Sequence, residues 1–241
     1  MKKILKSIVA MLMAAFLCTG TSEVATAVAS EVATKGVDGI DVSHHQGIIN
    51  WKKVADNNFS FVYIKVTEGA SYIDPMAVTN IKGAKAAGMN VGVYHFFRMT
   101  STPAAQFKNF KKILDKYDFD LIPMVDVESR DKADTDTYRQ ALSTFLNMIE
   151  SKYGVVPMIY GTNRSYNELC GTAFDGKYPL YIGRYGSNRP VVKGKSVYTI
   201  WQYSEHGKVS GISKDVDLCR FRKGCGLKDI LWNSQSVRRP R

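Results

Sequence analysis

Short apolar runs alternate with segments of helical period from Gly39 onward, and this alternation restricts the possible fold more than any other feature of the chain. Ile40–Ser43, Phe59–Val66, Asn90–Phe97 and Leu121–Val127 are dense in β-branched and aromatic residues and read as strands. Between them, Trp51–Asn57, Pro75–Ala87 and Pro103–Tyr117 carry helical patterns, and Asp134–Tyr153 follows as a long fourth helix. In Pro103–Tyr117 the residues Phe107, Phe110, Ile113 and Leu114 recur at the spacing of one buried face, so they are read as core. Asp134 or a neighbouring Thr can cap the long helix, and Gly154 can stop it. A strand–helix series of this kind implies a parallel sheet covered by its crossover helices.

The last third reads differently. Val155–Tyr160, Pro179–Gly183, Val197–Tyr203 and Asp215–Phe221 are strands with little helix between them, which suggests hairpin-like returns. The expected fold is α/β: a single irregular (β/α) TIM-like barrel, with complete βα units early and fewer helices in the last third. In such a barrel, functional residues gather where strands end. Asp41, Asp126, Glu128 and Asp217 fall at or near expected strand ends, with Tyr94, His95, Tyr160, Tyr181, Trp201 and Gln202 at a similar level. An acidic floor with aromatic walls suits a carbohydrate, whose C–H faces stack on rings while its hydroxyls take polar groups.

The most informative stretch is Ile122–Ser129, which holds Asp126 and Glu128 one residue apart at the end of an apolar run. The strand period of two puts both carboxylates on one face and turns Val125 and Val127 toward a helix. Two acids so close cannot both ionise freely. One pKa rises, giving a protonated acid beside a charged carboxylate, the pair that breaks a glycosidic bond. His44 and His45 lack a third ligand at metal spacing, and His95 between aromatic neighbours reads as structural, so neither a metal nor another cofactor is expected.

The N-terminus begins with Lys2, Lys3 and Lys6, continues through apolar Ile8–Leu17 and reaches small residues at Ala27-Val28-Ala29. Residues 1–29 are therefore expected to be a secretory signal peptide, too short in its apolar run to anchor in a bilayer. The chain carries a net charge of +11. Removing that segment leaves about +9 on about 210 residues, enough for one domain. A basic exported protein suits a polyanionic partner such as a cell wall. Nucleic acid is disfavoured, because no zinc-knuckle, recognition-helix or aromatic–basic repeat is present. The remaining Cys170, Cys219 and Cys225 are odd in number; a Cys219–Cys225 bridge is one option, with Cys170 free. The tail Gln235–Arg241 is expected to be disordered.

Six segments in order resemble the glycoside hydrolase family 25 lysozymes, the Chalaropsis-type muramidases. They are Gly39-Ile-Asp-Val-Ser-His-His-Gln-Gly47, Tyr63–Gly69, Gly92–Phe96, Pro123–Glu128, Ile200–Tyr203 and Val216–Leu218. The resemblance covers residues 37–222, with 223–241 as a C-terminal extension, and implies cleavage of the β-1,4 bond between N-acetylmuramic acid and N-acetylglucosamine in peptidoglycan. Carried over by position, Glu128 is implied as general acid and Asp126 as the group assisting the 2-acetamido, with Asp41 and Asp217 completing the acidic cleft. Lys65, Glu68, Tyr94, Tyr160 and Gln202 are implied to shape the saccharide site, and Trp201, bordering the cleft, is counted with them; the enzyme is expected to be monomeric and secreted or wall-associated. Cys219 stands where this pattern usually has asparagine. Two alternatives compete. A chitinase is disfavoured, because Leu121 and Met124 occupy the upstream aspartate positions of its strand. A non-catalytic wall-binding barrel is disfavoured by retention of all four carboxylates.

Overall fold

The computed structural model describes residues 38–232; the expected signal peptide and the Gln235–Arg241 tail lie outside the described residues. The strands are β1 (Gly39–Val42), β2 (Phe61–Glu68), β3 (Tyr72–Ile73), β4 (Val91–Phe96), β5 (Met124–Asp126), β6 (Met158–Thr162), β7 (Leu180–Gly183), β8 (Ile200–Gly207) and β9 (Val216–Phe221). The main helices are α1 (Trp51–Ala55), α2 (Ala77–Ala86), α3 (Pro103–Leu114) and α4 (Thr135–Tyr153). Seven strands run parallel in the order β1, β2, β4, β5, β6, β7, β8, and β9 closes the ring antiparallel between β8 and β1. Eight strands thus form a closed barrel, with β3 appended to β2. This is the expected TIM-like α/β barrel, and no long helix lies between β7 and β8 or between β8 and β9.

Strand alternation divides the core in two. Outward-facing Val62, Ile64, Val93, Val125, Val127 and Ile159 pack with Phe110, Leu142, Phe145 and Leu146 of α3 and α4. Each such fully buried side chain contributes about 1.5–3 kcal/mol. Inward-facing Phe61, Tyr63, Met124, Met158, Tyr181 and Ile200 fill the barrel. Glycines make room for the large rings: a Cβ on Gly92 would lie 2.4 Å from the Tyr63 ring, and one on Gly39 2.5 Å from that of Phe61.

Capping follows the sequence. Thr102 accepts from Ala105 N at the start of α3, where Pro103 needs no partner for its nitrogen. Asp134 accepts from Asp136 N and Thr137 N, and Gly154 ends α4 at φ 65°, a left-handed position that favours glycine.

Several boundaries differ from expectation. Leu121–Val127 shrinks to Met124–Asp126, and Leu121 bridges Leu231 instead. The extension past residue 222 is therefore partly structural, because Ile230 is fully buried in the inner core and its carbonyl accepts from Ile122 N. A barrel needs its lower end filled, and this segment fills it. The Cys219–Cys225 bridge is not formed: all three described cysteines are free, and Cys219 points into the barrel.

Candidate active site

The carboxyl ends of the parallel strands carry the acids. Asp41 ends the inward row of β1, and its antiparallel partner in register is Asp217, near the start of β9. Reversal of the last strand thus brings a residue from its beginning to the same rim. Asp41 is buried, and its Oδ2 accepts from Tyr181 Oη at 2.6 Å, Gln202 Nε2 at 2.9 Å and Cys219 Sγ at 3.5 Å. Tyr181 and Cys219 also touch each other. Burial raises the Asp41 pKa, while these donors and Asp217 support its charged form. Asp217 is pushed up to about 9, first by burial, then by the Asp41 charge and the hydrogen bond between them. One proton on Asp217, donated to Asp41, satisfies both groups.

Asp126 ends β5, and Glu128 follows just beyond the strand. Asp126 is buried at 6 % exposure, and its Oδ1 has no hydrogen-bond partner. Burial and then the Glu128 charge lift its pKa well above the usual carboxylate range, while Lys65 opposes them. Glu128 opens to solvent, yet the walls around it displace enough water that desolvation is the first cause of its raised pKa, ahead of Asp41. Tyr160, its hydrogen-bonding neighbour, acts the other way. The expectation of one raised carboxyl is therefore modified: both members of the D-x-E pair are raised, and the effect falls harder on the buried Asp126.

Lys65 faces the cleft by the alternation that also turns Tyr63 inward, and β2 becomes irregular just after it. Lys65 pairs with Tyr94 and Thr67 with His95, so one extra residue is accommodated between them. The bulge turns Thr67 outward and Glu68 toward the cleft, where Lys65 Nζ lies 2.7 Å from Glu68 Oε2. Arg98 clasps the other Glu68 oxygen at 2.7 Å and lies over the Phe96 ring, 4.5 Å from its centroid. Its other contact is Asp131 at 3.4 Å. Burial, and then the charges of Asp41, Asp126 and Asp217 around it, raise the Tyr94 pKa.

Gln202 connects the two acid groups. Its amide nitrogen donates to Asp41, and its Oε1 accepts from Tyr160 Oη at 2.7 Å and Tyr185 Oη at 3.3 Å. Gly183 leaves the space for this junction; a Cβ there would lie 2.9 Å from Gln202 Oε1 and 3.0 Å from Tyr160 Oη.

Nine of the ten sequence-selected residues thus converge at one mouth: Asp41, Lys65, Glu68, Tyr94, Asp126, Glu128, Tyr160, Gln202 and Asp217. Trp201 does not join them. As the neighbour of inward-facing Gln202 it faces out of the barrel, where Nε1 donates to Arg184 O at 2.6 Å and Arg220 lies beside the ring. His95 also faces outward, buried between Phe110 and Phe145 and bonded to Thr67 and Gln106. Burial lowers its pKa to about 4, so it is a neutral packing residue. His44 Nδ1 meets buried Asp74 Oδ2 at 2.7 Å. Among the described residues no cluster of three His, Cys, Asp or Glu side chains could hold a metal. Sequence reasoning missed Arg98, Asp131 and Tyr185, which sit in loops where neither period nor motif marks them.

Residues 40–212 match the model of the glycosyl hydrolases family 25. Lysozyme M1 of Streptomyces globisporus is 34% identical over 214 residues, covering 83% of this chain and 73% of that protein. The N,O-diacetylmuramidase of Chalaropsis sp. is 32% identical over 190 residues, covering 70% and 88% respectively. Among solved structures, the bacterial lysozyme of Streptomyces coelicolor superimposes with a TM-score of 0.72 at 30% identity, covering 83% of this chain and 97% of that one. With its barrel and its sequence agreeing, the chain belongs to glycosyl hydrolase family 25.

Proposed function

We propose that this protein is an exported muramidase that hydrolyses the β-1,4 bond between N-acetylmuramic acid and N-acetylglucosamine in peptidoglycan. The observation that carries the mechanism is the buried, unpartnered Oδ1 of Asp126 beside the more open Glu128. An orphaned carboxylate oxygen in a sugar cleft fits an amide N–H donor, which a 2-acetamido group supplies. When that N–H arrives, the charged form of Asp126 is stabilised, and the proton that the pair retains rests on Glu128.

Glu128 then protonates the glycosidic oxygen as the bond to the anomeric carbon breaks. The acetamido oxygen, steered by Asp126, attacks that carbon from the opposite side. Water subsequently opens the cyclic intermediate and returns a proton to Glu128. Asp41, held by three donors and the proton on Asp217, keeps a fixed negative charge near the developing positive centre. Lys65, Glu68 and Tyr94 frame the bound sugar; Lys65 also limits the charge accumulated by the acids. No step needs a metal or organic cofactor.

The muramidase reading is further supported by the names of the relatives, one a lysozyme and one an N,O-diacetylmuramidase. Export is supported by the basic, apolar and small-residue series in residues 1–29. Among the described residues no helix is long and apolar enough to cross a membrane.

The test is digestion of purified peptidoglycan by wild type and Glu128→Gln, with mass spectrometry of the reduced fragments. Reducible muramic acid ends from wild type alone support the assignment. Equal products from both proteins remove Glu128 from the acid role, and no products from either protein, with firm wall binding by both, favour a non-catalytic barrel.

A further inference from the structure

The outer wall of β8 and β9 differs chemically from the rest of the barrel. Elsewhere, outward-facing strand residues are mostly apolar and covered by helices. Here no helix follows β7 or β8, and the segment from Arg184 to Thr199 crosses the wall as loop. The outward residues include Trp201 and Arg220, which are register partners on β8 and β9, and Tyr203 beside them.

A cavity of about 840 Å³ opens at this place, lined by Arg189, Tyr198, Trp201, Arg220, Arg222 and Lys223 together with Gly186, Ser187 and Phe221. None of the lining residues is acidic. Four are cationic, and none of these four forms an ion pair among the described residues. Arg222 Nε holds the loop through Tyr198 O at 2.9 Å, and Arg189 and Lys223 are exposed at the rim. Arg220 lies 3.8 Å from the centroid of Tyr203, yet its buried Nε has no hydrogen-bond partner. A buried guanidinium donor without an acceptor is costly, and Arg220, which lines the cavity, gains from an anion placed beside its charge.

We propose that this cavity is a second binding site, outside the acid cleft, for a phosphate-bearing wall polymer. The several uncompensated cations suit a chain of repeating negative charge, because planar guanidinium groups engage phosphate oxygens two at a time. Tyr198 and Trp201 provide ring surface for the sugar or polyol between phosphates. A peptide stem fits less well, since its carboxylates are accompanied by amines that the four cations repel. The choice of a wall polymer rests on the muramidase reading; the preference for an anion rests on the cavity alone. Such a site would hold the enzyme on its insoluble substrate while the cleft releases and captures successive glycan segments.

The experiment measures binding of fluorescently labelled poly(glycerol phosphate) by polarisation, using wild type, Arg189→Ala/Lys223→Ala and, as a charge-matched control, Lys52→Ala/Lys82→Ala. All four substituted residues are exposed, so the fold is retained. Loss of two charge-assisted contacts predicts a fall in affinity of about tenfold or more for the cavity variant, with the control close to wild type. Equal weakening of both variants would mean that net charge alone attracts the polymer and would overturn the proposal. So would equal binding of uncharged dextran. Cleavage of soluble glycan fragments is measured in parallel. It should be unchanged in the cavity variant, which separates failure of this site from failure of the muramidase assignment.

Discussion

Gln202→Leu tests how the site fixes the direction of its hydrogen bonds. Asp41 can only accept when charged, so the Gln202 amide nitrogen faces it at 2.9 Å and Oε1 faces Tyr160. The single Tyr160 hydroxyl proton is thereby drawn to Gln202. The Tyr160 hydrogen bond toward Glu128, which lowers the Glu128 pKa, is weakened by that competition, and Glu128 more readily carries the proton needed for catalysis. Leucine has similar bulk but removes both contacts. Loss of one hydrogen bond to a charged group costs about 1.5–3 kcal/mol. If that loss is felt fully in the transition state, kcat/KM falls by roughly 10- to 150-fold. The freed Tyr160 hydroxyl turns to Glu128 and stabilises its carboxylate. Because the protonated form of Glu128 is active, its lowered pKa moves the alkaline limb of the pH–rate profile to lower pH. Clearing of purified wall suspensions across pH measures both effects, with thermal melting as a check on folding. The same substitution in a Tyr160→Phe background should leave the limb in place, since no hydroxyl remains to turn. An unmoved limb in the single variant, or an equal movement in the Tyr160→Phe background, refutes the proposed polarity.

Two further substitutions probe the frame around the cleft. Gly92→Ala places a methyl 2.4 Å from the Tyr63 ring, whose hydroxyl bonds Ile122 O at 3.0 Å ahead of β5; overpacking predicts a loss of about 1–3 kcal/mol in chemical denaturation, and a neutral result would mean the ring moves freely. Asp217 holds its proton up to about 9 in the folded state, against 3.8 for the free side chain, so the unfolded chain binds fewer protons between these values and stability contributed by this group falls as pH rises. Asp217→Asn keeps an amide donor toward Asp41 but cannot titrate, so its melting temperature should decline less from pH 5 to pH 9 than that of wild type; parallel declines would place the proton elsewhere.

The elements most visible in the sequence were those whose pattern and packing agree. Phe110, Ile113 and Leu114 repeat at helical spacing and are buried on α3, while Val125 and Val127 alternate with the acids and pack under the helices. The inward acids were equally visible, because a carboxylate at the end of an apolar strand is an unusual juxtaposition. What stayed hidden depends on contacts between distant residues. No local pattern distinguishes Trp201, which faces out, from Gln202, which faces in; only the registry of β8 with β7 and β9 decides it. The bulge in β2 is likewise a property of two strands, since neither Val66 nor Thr67 announces an extra residue. Ile230 looked like part of a tail, but it fills a barrel end that is created only when the eight strands close.

The reversed last strand links the irregular topology to the chemistry. In a ring of parallel strands the rim receives only residues near strand ends, each feeding a crossover loop. Running β9 antiparallel admits Asp217 from the beginning of its strand and sets it directly across from Asp41. Cys219, two residues along, again faces inward and reaches Asp41 Oδ2 from below. One carboxylate is thus contacted by two side chains from the same face of a single neighbouring strand. The same reversal makes β8 and β9 a hairpin, which needs no crossover helix, so the outer wall behind Asp217 is left to Trp201, Tyr203 and Arg220. The acidic pair inside and the basic aromatic surface outside are two faces of one strand reversal. A substitution that disturbs the β8–β9 register should therefore weaken both, whereas one confined to the rim should affect only its own face.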